Sequence, residues 1–289
     1  MSSLLDNIKS LRESTGAGFL DCKKALQENN NEIEKSIDFL RKKGLAKAVK
    51  KSLREAKEGV VGVFMNQKAA AILEINTETD FAAKNEIFLD FVDEVGGYVL
   101  NVNNSMSFSL EDFLNQSIGG KKISEYFTDI IAKIGENIVL RRLCFFNKDS
   151  NSELYSYMHN PYRPNIGKIG VLLKAEVQNN NENTKQFGKN LCMQIAASKP
   201  LALDVDKLDL SLIEKERDVQ LATIKSSGKP ENIIEKILEG KMKKYFSEIT
   251  LLNQPYIFDT DKDVRKVVID FSSNNIFNII NYELFVLGT

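Results

Sequence analysis

The sequence has few of the residue types that carry out covalent chemistry. Its 289 residues include one histidine, His159, and no tryptophan. A single histidine excludes metal sites built on histidine pairs and leaves little room for a Ser–His–Asp mechanism. Cysteine is also scarce, because Cys22, Cys144 and Cys192 are odd in number, widely spaced and outside any Cys-x-x-Cys motif. We therefore expect free thiols in a reducing compartment and no covalent catalysis.

Motifs for nucleotides, nucleic acids and membranes are missing as well. Neither GxxxxGK[ST] nor GxGxxG occurs, so the sequence predicts no phosphate-binding loop. Its 39 basic and 40 acidic residues leave a net charge of −1, without the basic excess typical of nucleic-acid binders. No run of ~18 apolar residues is present, and acidic residues interrupt the N-terminal region where a signal peptide would need an apolar stretch. We expect a cytoplasmic protein that needs no cofactor and binds no nucleotide, DNA or membrane directly.

The patterns that are present predict an α+β protein that begins with helices. Apolar residues at helical spacing indicate three short helices in the first 43 residues or so. Residues 41–57 then hold eight basic side chains, which suit either an RNA-binding strip or a solvated linker helix. Without interleaved aromatic residues to stack on bases, the solvated helix is the better interpretation. The later predicted elements are strands at 60–64 and 69–75, a helix over 81–100, short helices near 109–116 and 121–134, a strand pair at 138–146 and 154–158, a helix at 264–271 and a strand at 282–287.

A second strand–helix unit repeats the first about 100 residues later. A predicted strand at 168–177 and a helix at 184–197 follow the same order as 69–75 and 81–100. The matching positions are Lys68, Ile72, Leu73, Phe91 and Val95 in the first unit and Lys168, Leu172, Leu173, Leu191 and Ile195 in the second. This pattern predicts a duplicated core of two small antiparallel sheets covered by helices.

Residues 211–250 form a separate helical stretch with a break at 226–230. Their apolar stripe predicts an antiparallel helical hairpin projecting from the body of the protein. The stripe either closes the hairpin on itself or provides a self-association surface, and the pattern favours neither.

The segment between the strand ending near Ile75 and the next helix is unusual in composition. Thr79 or Asp80 suits the N-cap of that helix. Phe81 precedes Phe88 by seven residues, which places both on one helical face and favours a core position for Phe81. The alternative is that the junction presents Asp80 and Phe81 to a partner. Spacing does not decide between them.

Several motifs, in order along nearly the whole chain, resemble those of the bacterial elongation factor Ts family. Residues 11–26 match the family's N-terminal module and residues 79–85, Thr-Asp-Phe-Ala-Ala-Lys-Asn, match its signature junction. A second motif is found at 134–142, Ile-Gly-Glu-Asn-Ile-Val-Leu-Arg-Arg. Further agreement lies at 157–159, 167–172, 228–230 and 240–244. The resemblance implies a ubiquitin-associated-like (UBA-like) three-helix module, a duplicated core and an inserted helical hairpin. The segments it implies are 1–57 (module and linker helix), 58–148 and 149–205 (the two core subdomains), 206–250 (hairpin) and 251–289 (a C-terminal module that closes the core).

The resemblance also implies a function without covalent chemistry. Members of the family bind elongation factor Tu and exchange its guanine nucleotide, inserting an Asp-Phe junction near the magnesium and phosphate site of the GTPase domain. The matching partner-binding residues are Thr79, Asp80, Phe81, Ala82, Lys84 and Asn85. Further contacts, implied less directly, are Leu11, Arg12, Thr15, Gly16, Gly18, Met158, His159, Gly167 and Ile169. The hairpin is a self-association element in some members, so a homodimer through 211–250 is an expectation here.

An alternative function is a ubiquitin- or RNA-binding adaptor built on the basic N-terminal helices, but it leaves the duplicated core without a role. Four features depart from the family pattern, and one of them is the ending Leu287-Gly-Thr289, where an acidic, glycine-bearing end is usual. Ala82 stands where valine is usual, Gln194 where histidine is common, and the segment 160–166 before Gly167 is longer and richer in proline.

Overall fold

Three helices precede the first strand. The computed structural model describes residues 4–15, 17–101, 109–226, 230–273 and 275–289. Within these ranges, α1 spans Leu4–Thr15, α2 Phe19–Glu28 and α3 Ile33–Lys51. The helices enclose a small core formed by Ile8, Leu11, Cys22, Ala25, Leu26 and Leu40. The predicted loop at 103–105, Gly16 and positions 227–229 of the predicted break lie outside the described residues.

The predicted third helix and the basic linker helix are one continuous helix, α3. A Cβ added at Gly44 would lie 3.3 Å from the Cβ of Ala132, on a helix of the first core unit. The glycine therefore permits close packing between α3 and that helix instead of ending α3. This contact joins the N-terminal helices to the rest of the protein.

The first sheet has four antiparallel strands in the order β5-β2-β1-β7. The strands are β1 Glu58–Met65, β2 Ala69–Thr77, β5 Val139–Asn147 and β7 Ile166–Gly167. One face is covered by α5 (Glu86–Asn101) and α7 (Ile123–Ile134). Val92, Val95 and Phe88 of α5 are fully buried in the core between helices and sheet.

The second sheet has three antiparallel strands in the order β11-β8-β6. They are β6 Ser152–His159, β8 Ile169–Val177 and β11 Phe277–Val286. Its outer face is covered by α8 (Glu182–Ser198) and α11 (Val264–Ser272), whose Phe187 and Phe271 rings stack with centroids 4.0 Å apart. The central strands β2 and β8 begin 100 residues apart, at Ala69 and Ile169, and each is followed by a covering helix. The predicted duplicated α+β core is confirmed.

The inner faces of the two sheets pack against each other. Val61, Val63, Ala70, Ile72, Leu154, Leu172 and Phe285 form this inner core. A Cβ at Gly170 of β8 would approach Val63 of β1 to 2.7 Å, so the glycine permits close contact between the sheets. The result is four layers, in the order helix, sheet, sheet, helix. Both faces of β2 and β8 are thereby covered, and every residue of β2 is buried.

The predicted strand pair at 138–146 and 154–158 is wrong. β5 pairs with β2 in the first sheet, whereas β6 pairs with β8 in the second. The chain crosses between the sheets at 148–151, because β5 joins the central strand β2 and β6 joins the central strand β8. In each sheet, one face packs on helices and the other face packs on the opposite sheet.

Helices α9 (Leu210–Ser226) and α10 (Glu231–Ile249) form the predicted hairpin. Ile224, Leu238 and Met242 are buried between them, so the hairpin has a small core of its own. Exposed apolar side chains remain at Val219 and elsewhere. Self-association through 211–250 stays a prediction.

The remaining elements are short. They are α4 (Asp80–Ala83), α6 (Leu110–Asn115), β3 (Ser117–Ile118), β4 (Lys121–Lys122), 3₁₀ turns at Val205–Lys207 and Leu251–Asn253, β9 (Pro255–Tyr256) and β10 (Asp259–Asp263). Gln194 of α8 is fully buried and accepts a hydrogen bond from the backbone N–H of Ile257 at 2.8 Å, so it supports the turn between β9 and β10. Among the described residues, no helix has both the length and the apolar composition needed to cross a bilayer.

Candidate functional site

The junction after β2 is a short helix, α4, that is separate from α5. The predicted single helix over 81–100 is wrong, because Lys84 ends α4 and the side-chain oxygen of Asn85 accepts the N–H of Ile87 at 2.9 Å to begin α5. Phe81 and Phe88 therefore do not share a helical face. Phe88 is fully buried, whereas Phe81 is 83% exposed. The core position favoured for Phe81 by spacing is thus not observed.

Two kinds of contact hold α4 in place. Thr79 is its N-cap, with Oγ1 accepting the N–H of Ala82 at 3.2 Å. Ala82 and Ala83 are buried against β1 and β2. Ala82 therefore anchors the helix and does not offer its side chain at the surface. A capped, anchored turn directs Phe81 into solvent instead of letting it fold back onto the protein.

The carboxylate of Glu136 supports the same cap from outside. It accepts the backbone N–H of Thr79 at 3.0 Å and the Thr79 hydroxyl at 2.7 Å. Hydrogen bonds to a charged acceptor are stronger than neutral ones. Glu136 was not among the predicted site residues, because it lies 57 positions from Thr79. The motif at 134–142 is the only sequence feature that could have pointed to it.

The loop 135–137 also connects the junction to the N-terminal helices. The N–H of Asn137 donates to Glu78 at 2.7 Å, and its side-chain amide donates to the carbonyl of Arg54 at 2.7 Å. Lys51 donates to the carbonyl of Gly135. The end of α3, the loop after α7 and the start of α4 are thus joined by one hydrogen-bonded network.

Asp80 and Lys84 form an i,i+4 ion pair of 3.2 Å on the exposed side of α4. Both side chains remain about half exposed, at 45% and 56%. Exposed pairs of this type contribute little to stability, ~0.3–0.5 kcal/mol. The charges of Asp80 and Lys84 therefore stay accessible beside Phe81.

Removing the Glu136 carboxylate should loosen α4. In Glu136→Ala, the Thr79 N–H and hydroxyl lose their acceptor, which should cost about 1–2 kcal/mol of unfolding free energy. Hydrogen exchange of the Ala82 and Ala83 amides in the free protein should become faster. The matched control is Glu214→Ala, which removes an exposed glutamate on hairpin helix α9. Unchanged amide protection in α4 would show that Glu136 does not hold the junction.

A second group of predicted residues comes together at one end of the second sheet. Met158 and His159 end β6, and His159 pairs with Ile169 at the start of β8. Gly167 is buried, and a Cβ there would approach the Met158 sulfur to 2.8 Å. His159 is exposed, with Nδ1 3.1 Å from the hydroxyl of Tyr157. We call Met158, His159 and Ile169, together with the buried Gly167 of β7 that packs against Met158, the β6–β8 surface.

The predicted residues of the N-terminal helices divide between core and surface. Leu11 is fully buried in the three-helix core, so its side chain faces no partner. Arg12 and Gly18 are exposed, and the Thr15 hydroxyl donates to the carbonyl of Leu11 at 2.5 Å. The exposed apolar side chains of α1 and α2 include Leu5, Phe19 and Leu20, which the motif match did not name as contact residues. Leu5 and Phe19, with Arg12, line a groove of about 420 Å³.

Part of the basic stretch 41–57 binds the protein's own core. Arg41 pairs with Glu125 on α7, Lys51 contacts Gly135, and Arg54 lies 3.4 Å from Glu78. These contacts favour the interpretation of a packed helix over that of an RNA-binding strip.

The three cysteine thiols all have raised pKa values. Burial raises the pKa of Cys22 and Cys192, and burial with the nearby Glu283 carboxylate raises that of Cys144 to about 12. The thiols are therefore protonated at neutral pH and weakly nucleophilic. Within the described ranges, no group of three or more histidine, cysteine, aspartate or glutamate side chains is arranged to hold a metal ion.

Comparison with known proteins places this arrangement in a family. The sequence model of the family described as Elongation factor TS matches residues 78–289, a span that begins at the junction and continues through both sheets. The chain belongs to the elongation factor Ts family. Its α+β fold with three N-terminal helices agrees with this membership, which assigns the chain to translation elongation in protein biosynthesis.

Curated members of the elongation factor Ts family are similar over most of their length. Elongation factor Ts of Rhodospirillum centenum is 42% identical over 263 residues, which cover 90% of this chain and 84% of that protein. The protein of the same name from Gluconobacter oxydans is 40% identical over 281 residues, covering 97% and 90%. That of Ruegeria sp. is 44% identical over 258 residues, covering 89% and 84%.

Proposed function

We propose that this elongation factor Ts family member binds elongation factor Tu and accelerates the release of GDP from it. The observation that carries the proposal is the exposure of Phe81. A large aromatic side chain, 83% exposed on a turn held by a cap, an external carboxylate and two buried alanines, is placed to contact another protein. Asp80 and Lys84 beside it provide charges that orient the contact.

The proposed mechanism is displacement and involves no covalent step. Bound GDP depends on Mg²⁺ and on backbone donors around its phosphates. Insertion of Phe81 beside these elements is favourable only when they have moved apart, so it selects the opened state of the GTPase. Nucleotide and exchange factor then weaken each other's binding by the same factor. The chain accelerates exchange in both directions and does not choose between GDP and GTP.

We further propose that separate surfaces contact separate parts of elongation factor Tu. The junction 79–85 and the exposed face of α1 and α2 around Arg12 and Gly18 would lie on the GTPase domain. The β6–β8 surface would contact another domain. The groove lined by Leu5, Phe19 and Arg12 supports a role of the N-terminal helices in binding.

We also propose that the chain is organised in five structural units, which are 1–57, 58–148, 149–205, 206–250 and 251–289. The separate cores of the N-terminal helices, of the first sheet with its helices and of the hairpin support three of these units, whereas segments 149–205 and 251–289 share the core of the second sheet.

The test is release of fluorescent GDP from purified elongation factor Tu. Addition of the full chain at micromolar concentration should accelerate release many-fold, and the apparent rate should be the same with excess GDP or excess GTP as the incoming nucleotide. A matched amount of an unrelated protein of similar net charge is the control. Release that does not accelerate, or that accelerates only with GTP, would contradict the proposal.

A further inference from the structure

The segment 160–166, longer than the family pattern, forms a bridge between the two halves of the core. It leaves β6 of the second sheet after His159 and returns as β7, which pairs with β1 of the first sheet. Its backbone is fixed by hydrogen bonds from the N–H of Tyr162 to the carbonyl of Ile166 at 2.8 Å and from the N–H of Val63 to the carbonyl of Asn165 at 2.8 Å. Arg163 is therefore presented from an ordered turn.

The Arg163 guanidinium binds three carboxylates on one face of α5. Nη2 contacts Glu86, and Nη1 lies 2.8 Å from Asp90 and 2.9 Å from Asp93. The spacing i, i+4, i+7 places these acidic residues on successive turns of the same helical face. Three like charges so placed would repel one another without a shared cation.

This contact differs from an ordinary surface ion pair. The Arg163 side chain is only 23% exposed, although the carboxylates of Glu86 and Asp90 are 79% and 72% exposed. The planar guanidinium binds several carboxylates at once. The conformational entropy of only one long side chain is therefore lost for several bonds, which favours a fixed geometry. A network of this kind can hold two elements in register where an isolated exposed pair would not.

The bridge is continuous with one proposed contact surface and bonded to the helix that follows the other. The segment 160–166 is flanked by His159 and Gly167, both in the β6–β8 surface. Helix α5 begins at Glu86, directly after Asn85, the last residue of the junction. Arg163 thus connects segment 160–166, which is continuous with the β6–β8 surface, to α5, which directly follows the junction.

We propose that Arg163 is a positioning residue that holds the β6–β8 surface and the Asp80–Phe81 junction in one fixed geometry, so that both engage elongation factor Tu together. The inference rests on the proposed function. When two surfaces are held rigidly, contact at one raises the effective concentration of the other. Loosening the bridge lowers that concentration without removing any residue that touches the partner.

The first test uses the free protein. Arg163→Gln should increase hydrogen exchange of amides in the first two turns of α5, whereas Arg163→Lys, which keeps the charge but not the fork, should give a smaller increase. Arg217→Gln, at an exposed arginine on hairpin helix α9, is the matched control and should change nothing in α5. Unchanged protection in Arg163→Gln would overturn the proposal, whether or not the chain binds elongation factor Tu.

The second test measures affinity for nucleotide-free elongation factor Tu by titration calorimetry. We expect Arg163→Gln to weaken binding at least about tenfold in the wild-type background. In a His159→Ala background, where the β6–β8 surface is already impaired, the same substitution should have less than about a twofold effect. A purely structural role predicts the same factor in both backgrounds, and such additivity would overturn the proposal. If the wild-type chain does not bind elongation factor Tu, the proposed function fails, and the inference about the complex fails with it. The hydrogen-exchange measurements on the free protein still report whether Arg163 restrains α5.

Discussion

Phe81→Ala should remove most of the acceleration of GDP release and leave the free energy of unfolding almost unchanged. The side chain is 83% exposed, so its truncation removes little buried apolar area, and the effect on stability should be within about 0.5 kcal/mol. A central aromatic contact contributes at least about 2 kcal/mol to binding, which corresponds to about a 30-fold loss of affinity for the opened state. The measurement is release of fluorescent GDP from elongation factor Tu, with denaturant unfolding of the free variant alongside it.

The matched control for Phe81→Ala is Phe88→Ala in the next helix. Phe88 of α5 is fully buried in the core between the helices and the first sheet, and its truncation should cost about 3–5 kcal/mol of unfolding free energy. The two variants therefore separate binding from packing with the same chemical change. If Phe81→Ala destabilises the protein as much as Phe88→Ala does, Phe81 belongs to the core in solution. If Phe81→Ala accelerates GDP release from elongation factor Tu as much as the wild type does, the junction is not the element that opens the GTPase.

Arg142→Ala should cause a large loss of unfolding free energy. Arg142 of β5 donates from Nε to Glu74 of β2 at 2.7 Å, and the Glu74 side chain is completely buried. Its Nη2 donates to the carbonyl of Val286 at 2.8 Å, at the end of β11 in the other sheet. The guanidinium also lies 4.2 Å from the centre of the Phe285 ring. Truncation leaves a buried carboxylate without its cation, a change that typically costs ~3–5 kcal/mol.

Arg141→Ala is the control for Arg142→Ala, because Arg141 is the adjacent arginine in β5 and lies at the register shift between β2 and β5, without a pairing partner in β2. Arg141 is exposed, and its truncation should change the unfolding free energy by less than about 0.5 kcal/mol. Denaturant unfolding of both variants under the same conditions gives the comparison. A loss below about 1 kcal/mol in Arg142→Ala would mean that the backbone N–H of Gly288, 3.2 Å from Glu74, and the Asn76 amide, 3.0 Å away, are enough to hold the buried carboxylate.

The repeat of the core was readable in the sequence because burial imposes a local pattern. β2 and β8 are central strands covered on both faces, so each begins with an apolar run, at 69–73 and 169–173. Each is followed by an amphipathic helix. The same local signals predicted the hairpin from its apolar stripe. Pairing was not readable, and the error at β5 and β6 shows why. Two adjacent strands with a short connection have the sequence pattern of a hairpin. Their own residues do not indicate that β5 pairs in the first sheet and β6 in the second.

The break in the helix after the junction was missed for a related reason. Lys84 and Asn85 are compatible with a helix, and the seven-residue spacing of Phe81 and Phe88 continues the period across them. The structure ends α4 because Ala82 and Ala83 are packed against the sheet and Glu136 holds the cap, contacts made by residues far away in the chain. Glu136 and Arg163 were likewise not assigned to the site, since their partners lie 57 and 70 positions away.

By itself, the sequence determined the scarcity of catalytic side chains, the order of helices and strands, and the α+β class, because composition and hydrophobic period are local properties. The tertiary structure alone decided that Phe81 is exposed while Ala82 and Leu11 are buried. It also decided which strands share a sheet and that Glu136 and Arg163 brace the two proposed contact surfaces. These features depend on which distant segments pack together, and a side chain's exposure is a property of that packing and not of its own position in a helical repeat.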